Sequence, residues 1–365
     1  MNLPATVEEL TPAWLTDALR AGGHLVNGAR VAGVRSERLG EGVGFIGVVC
    51  RLSLTYRDGD GPTTVIAKLP SPEPGAREIG NLYGLYEREV HFYEDMGSAT
   101  GLTAPRCYFS QWDAGEERSL LLLEDLAPYG RVGDQLAGCS AAEAALALSE
   151  LAKLHATYWN SPRLDEIAWL PRGTDLVRSS MTQAYPDARD PFLARVGERL
   201  APGVRACIPD LHEHLLALLD DVDREGTFTI GHGDYRLDNM FFGTPGGPYE
   251  LAVFDWQSPN RAWGAYDLAY FISGTLEPAQ RRASERDALR RYHEQLQAGG
   301  VRGYSFDQLV FDYRRSLMVY LGIFAVNGAT LEQSNERAVR LFEVIFDRLN
   351  DAIVEHDAVA TLPRA

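Results

Sequence analysis

The stretch of sequence that decides the fold is HGDYRLDN, residues 232–239. It places an acidic residue, Asp234, five residues before an amide, Asn239, and a second acid, Asp255, follows 16 residues after that amide. A glycine- and proline-rich turn at 243–248 separates two apolar runs and predicts a hairpin between Asn239 and Asp255. Such a hairpin would return the second acid to the neighbourhood of the amide.

These three side chains have the chemistry that transfer of a phosphoryl group requires. A hydroxyl group that attacks a phosphate needs a carboxylate to orient it and to accept its proton, and Asp234 is the candidate base. Asn239 offers a neutral oxygen and Asp255 an anionic oxygen, and both suit a hard cation such as Mg²⁺. The loop therefore predicts metal-dependent phosphoryl transfer.

Length and charge limit the class of protein. The chain has 365 residues, which is long for a single hydrophobic core, so two regions are expected. Its net charge of -16 argues against nucleic acid as a partner, because nucleic-acid binding requires a concentrated basic surface. The composition is otherwise that of an ordinary folded protein.

The sequence predicts a cytoplasmic protein without a membrane partner. The first nine residues lack the basic and apolar segments of a secretory signal, and the longest apolar run, 317–326, is half the length needed to cross a bilayer. The four cysteines are far apart and form no CxxC pair, so neither a zinc site nor a disulfide framework is expected. The sequence leaves the oligomeric state open.

The order of the predicted elements indicates an α+β fold of the bilobal protein-kinase type. Five strands with one main helix between the third and the fourth would form a small antiparallel sheet; the strands cover about 31–38, 48–56, 63–69, 106–112 and 119–123, and the helix about 77–96. The later pattern is mostly helical, at about 140–159, 204–223, 278–298, 306–326 and 331–355. We therefore expect a nucleotide-binding region at 1–126 and a larger helical region for catalysis and substrate at 127–365.

Lys68 and Glu89 form a predicted ion pair. Lys68 lies near the end of the third strand, where a lysine in this kind of fold reaches the phosphates of ATP. Glu89 falls within the apolar face of the following helix, where a carboxylate is costly unless it is paired. A pair with Lys68 explains both positions.

A glycine-rich segment between the first two strands contains Gly42, Gly44 and Gly47 in the pattern GxGxxG. A dinucleotide-binding fold requires a helix directly after such glycines, but residues 48–54 have a strand pattern instead. The segment is therefore predicted to be a flap over the phosphates of ATP, and an ordinary glycine-rich hairpin is the alternative.

The segment LLLEDL, residues 121–126, is an apolar strand that ends in acids at the expected border of the two regions. In a kinase-type fold, the main-chain groups of Glu124 and Leu126 would form hydrogen bonds with adenine.

These residues, together with DLAY at 267–270, resemble the aminoglycoside phosphotransferase and choline kinase superfamily. The phrases REVHFY at 88–93, LEDL at 123–126 and LAKLHA at 151–156 are most similar to its ecdysteroid-kinase-like branch. The resemblance covers about residues 35–355.

The resemblance implies a kinase that moves the γ-phosphate of ATP to a hydroxyl of a small molecule. It implies that Asp234 is the base and that Asn239 and Asp255 bind Mg²⁺. Lys68, with Glu89, would anchor the phosphates.

Two further residues refine what the resemblance implies. Asp267 would support the catalytic loop. Gly233 stands where protein kinases place an arginine that reads a phosphorylated activation loop, and little chain is available for such a loop between Asp255 and Asp267. A protein substrate is therefore disfavoured.

Three alternatives stay open from the sequence. The first is an antibiotic O-phosphotransferase of the aminoglycoside type, and the second is a kinase of choline or another amino alcohol. The third is an inactive nucleotide-binding module. The regions expected to recognise the acceptor, around 160–200 and 278–326, carry no motif that identifies it.

Overall fold

The computed structural model describes residues 1–26, 28–40, 46–329 and 335–363. The chain divides into two compact units. The first consists of Met1–Ala99, Thr103–Arg131 and Gly243–Ser258, and the second of Thr100–Leu102, Val132–Phe242 and Pro259–Ala365. The sequence prediction assigned residues 243–258 to the helical region, whereas they belong to the first unit.

A five-stranded antiparallel sheet forms the first unit. Its strands are β1 (Arg30–Leu39), β2 (Gly47–Arg57), β3 (Thr64–Pro70), β4 (Cys107–Asp113) and β5 (Arg118–Glu124), in the order β1-β2-β3-β5-β4. Burial alternates along β2 and β3, as expected for strands with one face on a core. Helix α1 (Pro12–Ala21) adds Leu15 and Leu19 to this core, and the side chain of Thr11 caps it by accepting a hydrogen bond from the main chain of Trp14.

The prediction of a single helix at about 77–96 is wrong. The structure has α2 (Pro74–Leu82) and α3 (Leu85–His91), followed by a π turn. Gly84 separates the two helices with a φ of 62°, a left-handed conformation that glycine adopts without steric cost. Because the helix breaks there, Leu82 does not belong to the apolar face of α3 and is 76% exposed.

The second unit is mostly helical, which confirms the predicted α+β class. Its helices are α4 (Ala141–Tyr158), α5 (Gly173–Gln183), α6 (Tyr185–Val196), α7 (Pro202–Cys207), α8 (Leu211–Glu225), α9 (Ala265–Thr275), α10 (Pro278–Ala298), α11 (Phe306–Ala329) and α12 (Glu336–Glu355). The helix predicted at 204–223 is thus two helices. Ser140 and Glu143 form the predicted capping box of α4.

The remaining strands are short and lie close in sequence to the motif residues. They are β6 (Gly130–Val132), β7 (Thr229–Gly231), β8 (Met240–Gly243), β9 (Leu251–Val253) and β10 (Asn260–Ala262). Strands β7 and β10 pair antiparallel, with Ile230 opposite Arg261. The HGDYRLDN loop follows β7, and α9 follows β10; the loop is held to the first turn of α9 by hydrogen bonds from the N–H groups of His232 and Gly233 to Asp267.

Helix α11 contains the longest apolar run of the sequence. The run is part of the core, since Leu317, Met318, Val319 and Leu321 are all fully buried. Within the described part of the chain, no helix combines the length and the apolar character needed to cross a membrane.

Candidate active site

In the first unit, Lys68 lies between two carboxylates. Its Nζ atom is 2.5 Å from Oε1 of Glu89 and 2.8 Å from Oδ1 of Asp255. Strand β3 fixes the position of the lysine between β2 and β5, where it pairs with Val49 and Leu121. The structure therefore brings together three of the residues that the sequence selected.

The charges of this cluster depend on one another. Burial opposes the positive charge of Lys68, but the carboxylates of Asp255 and Glu89 outweigh burial and raise the pKa of the lysine. Burial raises the pKa of Glu89, which is 2% exposed, and the charge of Lys68 opposes that effect. The two carboxylates therefore favour the charged form of Lys68 and fix its position.

Asp255 follows β9 in an unusual backbone conformation. Its φ is 65°, in the left-handed region that aspartate tolerates better than most residues. Trp256, the next residue, is fully buried, donates from Nε1 to the carbonyl of Val253 at 3.1 Å, and stacks on Phe92 with ring centroids 3.8 Å apart. This anchor fixes the turn that directs the carboxylate of Asp255 toward Lys68.

The segment LLLEDL ends at an ion pair that the sequence analysis did not find. Asp125 is buried and accepts hydrogen bonds from Nε of Arg51 at 2.7 Å and from Nη2 at 3.3 Å. It also accepts the main-chain N–H of Ala127. Asp125 therefore ties the end of β5 to β2, and its side chain is engaged by the protein.

Glu124 and Leu126, the residues predicted to meet adenine, also have protein partners. The side chain of Glu124 accepts from the hydroxyl of Tyr249 at 2.6 Å and from the main chain of Arg106 at 3.3 Å. The carbonyl of Leu126 accepts the N–H of Tyr129. The role of both residues in binding adenine stays a prediction.

Of the three glycines predicted to cover the phosphates, Gly42 and Gly44 lie outside the described residues. Gly47 is the first residue of β2 and pairs with Pro70. A Cβ atom at Gly47 would lie 3.0 Å from the carbonyl oxygen of Leu69, so the close approach of β3 explains this glycine.

In the second unit, three side chains donate to the carboxylate of Asp234. Oδ1 accepts from the hydroxyl of Tyr270 at 2.7 Å, and Oδ2 accepts from Nε of Arg236 at 3.1 Å and from Nδ2 of Asn239 at 2.9 Å. The same Nδ2 donates to the main-chain carbonyl of Asp234 at 2.9 Å. The candidate base is therefore held firmly by its surroundings.

Asp267 holds the main chain of the same loop. It is fully buried on α9, and its two oxygens accept from the N–H of His232 at 2.6 Å and from the N–H of Gly233 at 3.0 Å. Gly233 has a φ of 82°, a left-handed conformation that favours glycine. This conformation explains why a glycine occupies the position, and the sequence analysis did not identify it. Nε2 of His155 lies 3.7 Å from Asp267.

Gln135 is a second anchor of this loop, and no sequence signal pointed to it. Its side-chain Oε1 accepts the main-chain N–H of Leu237 at 2.9 Å, and its main-chain N–H donates to Oδ1 of Asp238 at 2.9 Å. Its Nε2 donates to the carbonyl of Gly274 at the end of α9. Arg348, which is 2% exposed, donates to the carbonyls of Gln135 and Gly274 and so connects α12 to the same network.

The donor atoms offered by Asn239 and Asp255 suit a divalent cation. Both N–H groups of the Asn239 amide are used by Asp234, so the amide oxygen is the atom that it can offer to a ligand. Asp255 offers a carboxylate whose Oδ1 contacts Lys68. One carboxylate and one neutral oxygen match the few protein ligands that Mg²⁺ takes beside waters and phosphates. Asn239 belongs to the second unit and Asp255 to the first, and joint binding of one cation stays a prediction.

The fold is that of small-molecule kinases, as three solved structures show. A candidate aminoglycoside phosphotransferase from Ralstonia eutropha JMP134 matches with a TM-score of 0.56 and 18% identity over 96% of this chain and 99% of its own. Ethanolamine kinase from Plasmodium vivax matches with a TM-score of 0.54 and 10% identity over 87% and 81% of the two chains. Choline kinase from Cryptosporidium parvum Iowa II matches with a TM-score of 0.51 and 9% identity over 89% and 91%.

The sequence identifies the family. The model of the ecdysteroid kinase-like family matches residues 41–300, and the chain belongs to that family. The superfamily and the branch predicted from the sequence are therefore confirmed. A search of curated proteins finds no significant match.

Proposed function

We propose that the protein is a phosphotransferase that uses ATP and Mg²⁺ to phosphorylate a hydroxyl group of a small molecule. The observation that carries this proposal is the position of Lys68, a half-buried cation between the carboxylates of Glu89 and Asp255. Binding of a nucleoside triphosphate requires a cation that contacts the phosphates and a ligand for the metal ion, and here Lys68 and Asp255 belong to one ion network. Membership of a kinase-like family supports the same conclusion.

Each side chain has a defined part in the proposed reaction. Asp234 orients the acceptor hydroxyl and takes its proton while the oxygen bonds to the γ-phosphorus and the bond to the leaving ADP breaks. Lys68, held by Glu89, contacts the α and β phosphates. Asn239 and Asp255 would hold Mg²⁺, which would offset the negative charge of the phosphate oxygens.

The nucleotide would lie along the sheet of the first unit. The glycine-rich segment that contains Gly42, Gly44 and Gly47 covers the phosphates in this proposal, and the main-chain groups of Glu124 and Leu126 bind adenine. The proposal includes a cytoplasmic location, where ATP is available. A nucleic-acid partner is not part of it, because the net charge of the chain is -16.

A small acceptor is favoured over a protein. Residues 256–264 are all that separates Asp255 from α9, and three of them form β10. This segment is too short for an activation loop of the kind that protein kinases use to bind a peptide. Antibiotics and amino alcohols stay possible acceptors, as both classes have kinases of this fold.

The proposal is tested by measuring ATP consumption with a panel of alcohols, sterols, sugars, amino alcohols and aminoglycosides. We expect phosphorylation of at least one class, detected as a mass increase of the acceptor. Asp234→Asn should lower kcat by about 10²- to 10⁴-fold while ATP binding survives, because only the base is lost. Asp255→Ala should remove the dependence of ATP binding on Mg²⁺, measured by calorimetry.

The matched control is Asp287→Asn, which makes the same chemical change at an exposed position of α10. Its activity should equal that of the wild type. Wild-type turnover by Asp234→Asn would refute the assignment of the base. ATP binding without turnover on any acceptor would favour the inactive nucleotide-binding module.

A further inference from the structure

We propose that Tyr270 is a positioning residue that fixes the carboxylate of Asp234 for proton transfer. The proposal rests on the proposed function of Asp234 as the base. It adds a residue that does not react itself and that acts through its hydrogen bond to the base.

The geometry of α9 carries the proposal. Asp267 and Tyr270 are three residues apart on this helix and therefore share one face. Asp267 accepts the N–H groups of His232 and Gly233, which fixes the main chain before the base. Tyr270 donates its hydroxyl to Oδ1 of Asp234 at 2.7 Å, which fixes the side chain of the base. One turn of α9 therefore positions both the main chain of the catalytic loop and the side chain of Asp234.

The two oxygens of Asp234 have different surroundings. Oδ2 accepts from both Arg236 and Asn239, whereas the hydrogen bond to Oδ1 comes from Tyr270. Rotation of a carboxylate about χ2 has a broad energy profile, so only hydrogen bonds at both oxygens define its plane. Without the hydroxyl of Tyr270, the plane of the carboxylate would be held from one side only.

The surroundings of Tyr270 fix its own position and keep its proton. Its ring packs against Tyr320 with centroids 4.4 Å apart, and Tyr320 is 3% exposed. Tyr266, one turn earlier on α9, lies at 6.2 Å. Burial, and then the negative charge of Asp234, raise the pKa of Tyr270 well above its ordinary value, so the hydroxyl remains a hydrogen-bond donor.

The test is the Tyr270→Phe variant, which removes one oxygen and keeps the ring. With an acceptor found in the panel, kcat should fall about 10- to 100-fold, while KM for ATP and for the acceptor changes less than about threefold. Tyr185→Phe is the control, because it removes a buried tyrosine hydrogen bond elsewhere in the second unit, 2.8 Å to the carbonyl of Ile208. The control should lose similar stability but keep the wild-type kcat.

A second readout does not depend on turnover. Crystal structures of the wild type and of Tyr270→Phe should show one orientation of the Asp234 carboxylate in the former and a rotated or divided one in the latter. An unchanged orientation, or a kcat within twofold of the wild type, would overturn the proposal for Tyr270. If the wild-type protein phosphorylates no acceptor, the proposed function is refuted instead. The crystal structures then show whether Tyr270 fixes the orientation of the Asp234 carboxylate.

Discussion

Replacement of Asp267 by asparagine should destabilise the protein strongly although it changes only one atom of the side chain. The carboxylate is fully buried, and each of its oxygens accepts one main-chain N–H, from His232 at 2.6 Å and from Gly233 at 3.0 Å. An asparagine retains one acceptor oxygen. Its NH₂ group would face the other N–H, so one buried donor loses its partner and meets a second donor.

The expected magnitude follows from these contacts. A hydrogen bond to a charged group contributes about 1.5–3 kcal/mol, and a buried donor left without a partner costs about 1–3 kcal/mol. These two effects overlap, because they describe the same lost contact. We expect Asp267→Asn to lower the free energy of unfolding by about 2–4 kcal/mol.

The assay is urea unfolding followed by tryptophan fluorescence, with Asp287→Asn as the matched control. The control residue is exposed on α10, so its replacement should change the free energy of unfolding by less than about 0.5 kcal/mol. Asp267→Asn should also lower kcat by about 100-fold, because the loop that carries Asp234 loses its anchor. If both variants unfold at the same urea concentration, Asp267 is not the anchor and the reasoning fails.

Three further predictions concern ion pairs. Lys68→Met should weaken ATP binding at least about tenfold, measured by calorimetry, because the phosphates lose their cation; unchanged affinity would exclude Lys68 as the anchor. Arg51→Ala should lower the free energy of unfolding by about 2–3 kcal/mol in urea, because buried Asp125 loses its partner; a loss below 0.5 kcal/mol would contradict this. Burial opposes ionisation of Glu285, but its contacts with His356, Arg281 and Tyr313 together outweigh burial and lower the pKa of Glu285. The charged form of Glu285 therefore stabilises the fold at pH values above 4.5, its ordinary pKa. The difference in free energy of unfolding between the wild type and Glu285→Gln should shrink as the pH falls below that value. A difference that grows as the pH falls would refute this prediction.

Local sequence patterns predicted the main elements of the fold because each pattern reports on neighbouring residues. Alternation of apolar residues identified the strands, and helical spacing identified α10 and α11 almost to their ends. The same reasoning failed at Gly84, where one residue with a positive φ interrupts an otherwise continuous helical pattern. The pattern alone cannot distinguish a glycine within a helix from a glycine that ends it.

The contacts that fix the site were not visible in the sequence, because they join residues that are far apart along the chain. Arg51 and Asp125 are 74 residues apart, and Tyr270 and Asp234 are 36 apart. The sequence did predict the pairing of Lys68 with Glu89, since an acid within an apolar helix face requires a partner. Tyr270 gave no such signal, because a tyrosine on a buried helix is usually explained by packing.

Each of the proposed catalytic residues is held by at least one charged or hydrogen-bonded partner from another element or turn. The sequence does not show this shared property. Lys68 is held by two carboxylates, and Asp234 by three donors, one of which is Asn239. Groups that are fixed before the substrate arrives need little reorganisation in the transition state, and this lowers the barrier rather than the dissociation constant. Loss of a holding residue such as Tyr270 should therefore reduce kcat more than affinity. Loss of Lys68, which contacts the nucleotide directly in the proposed reaction, should reduce affinity as well.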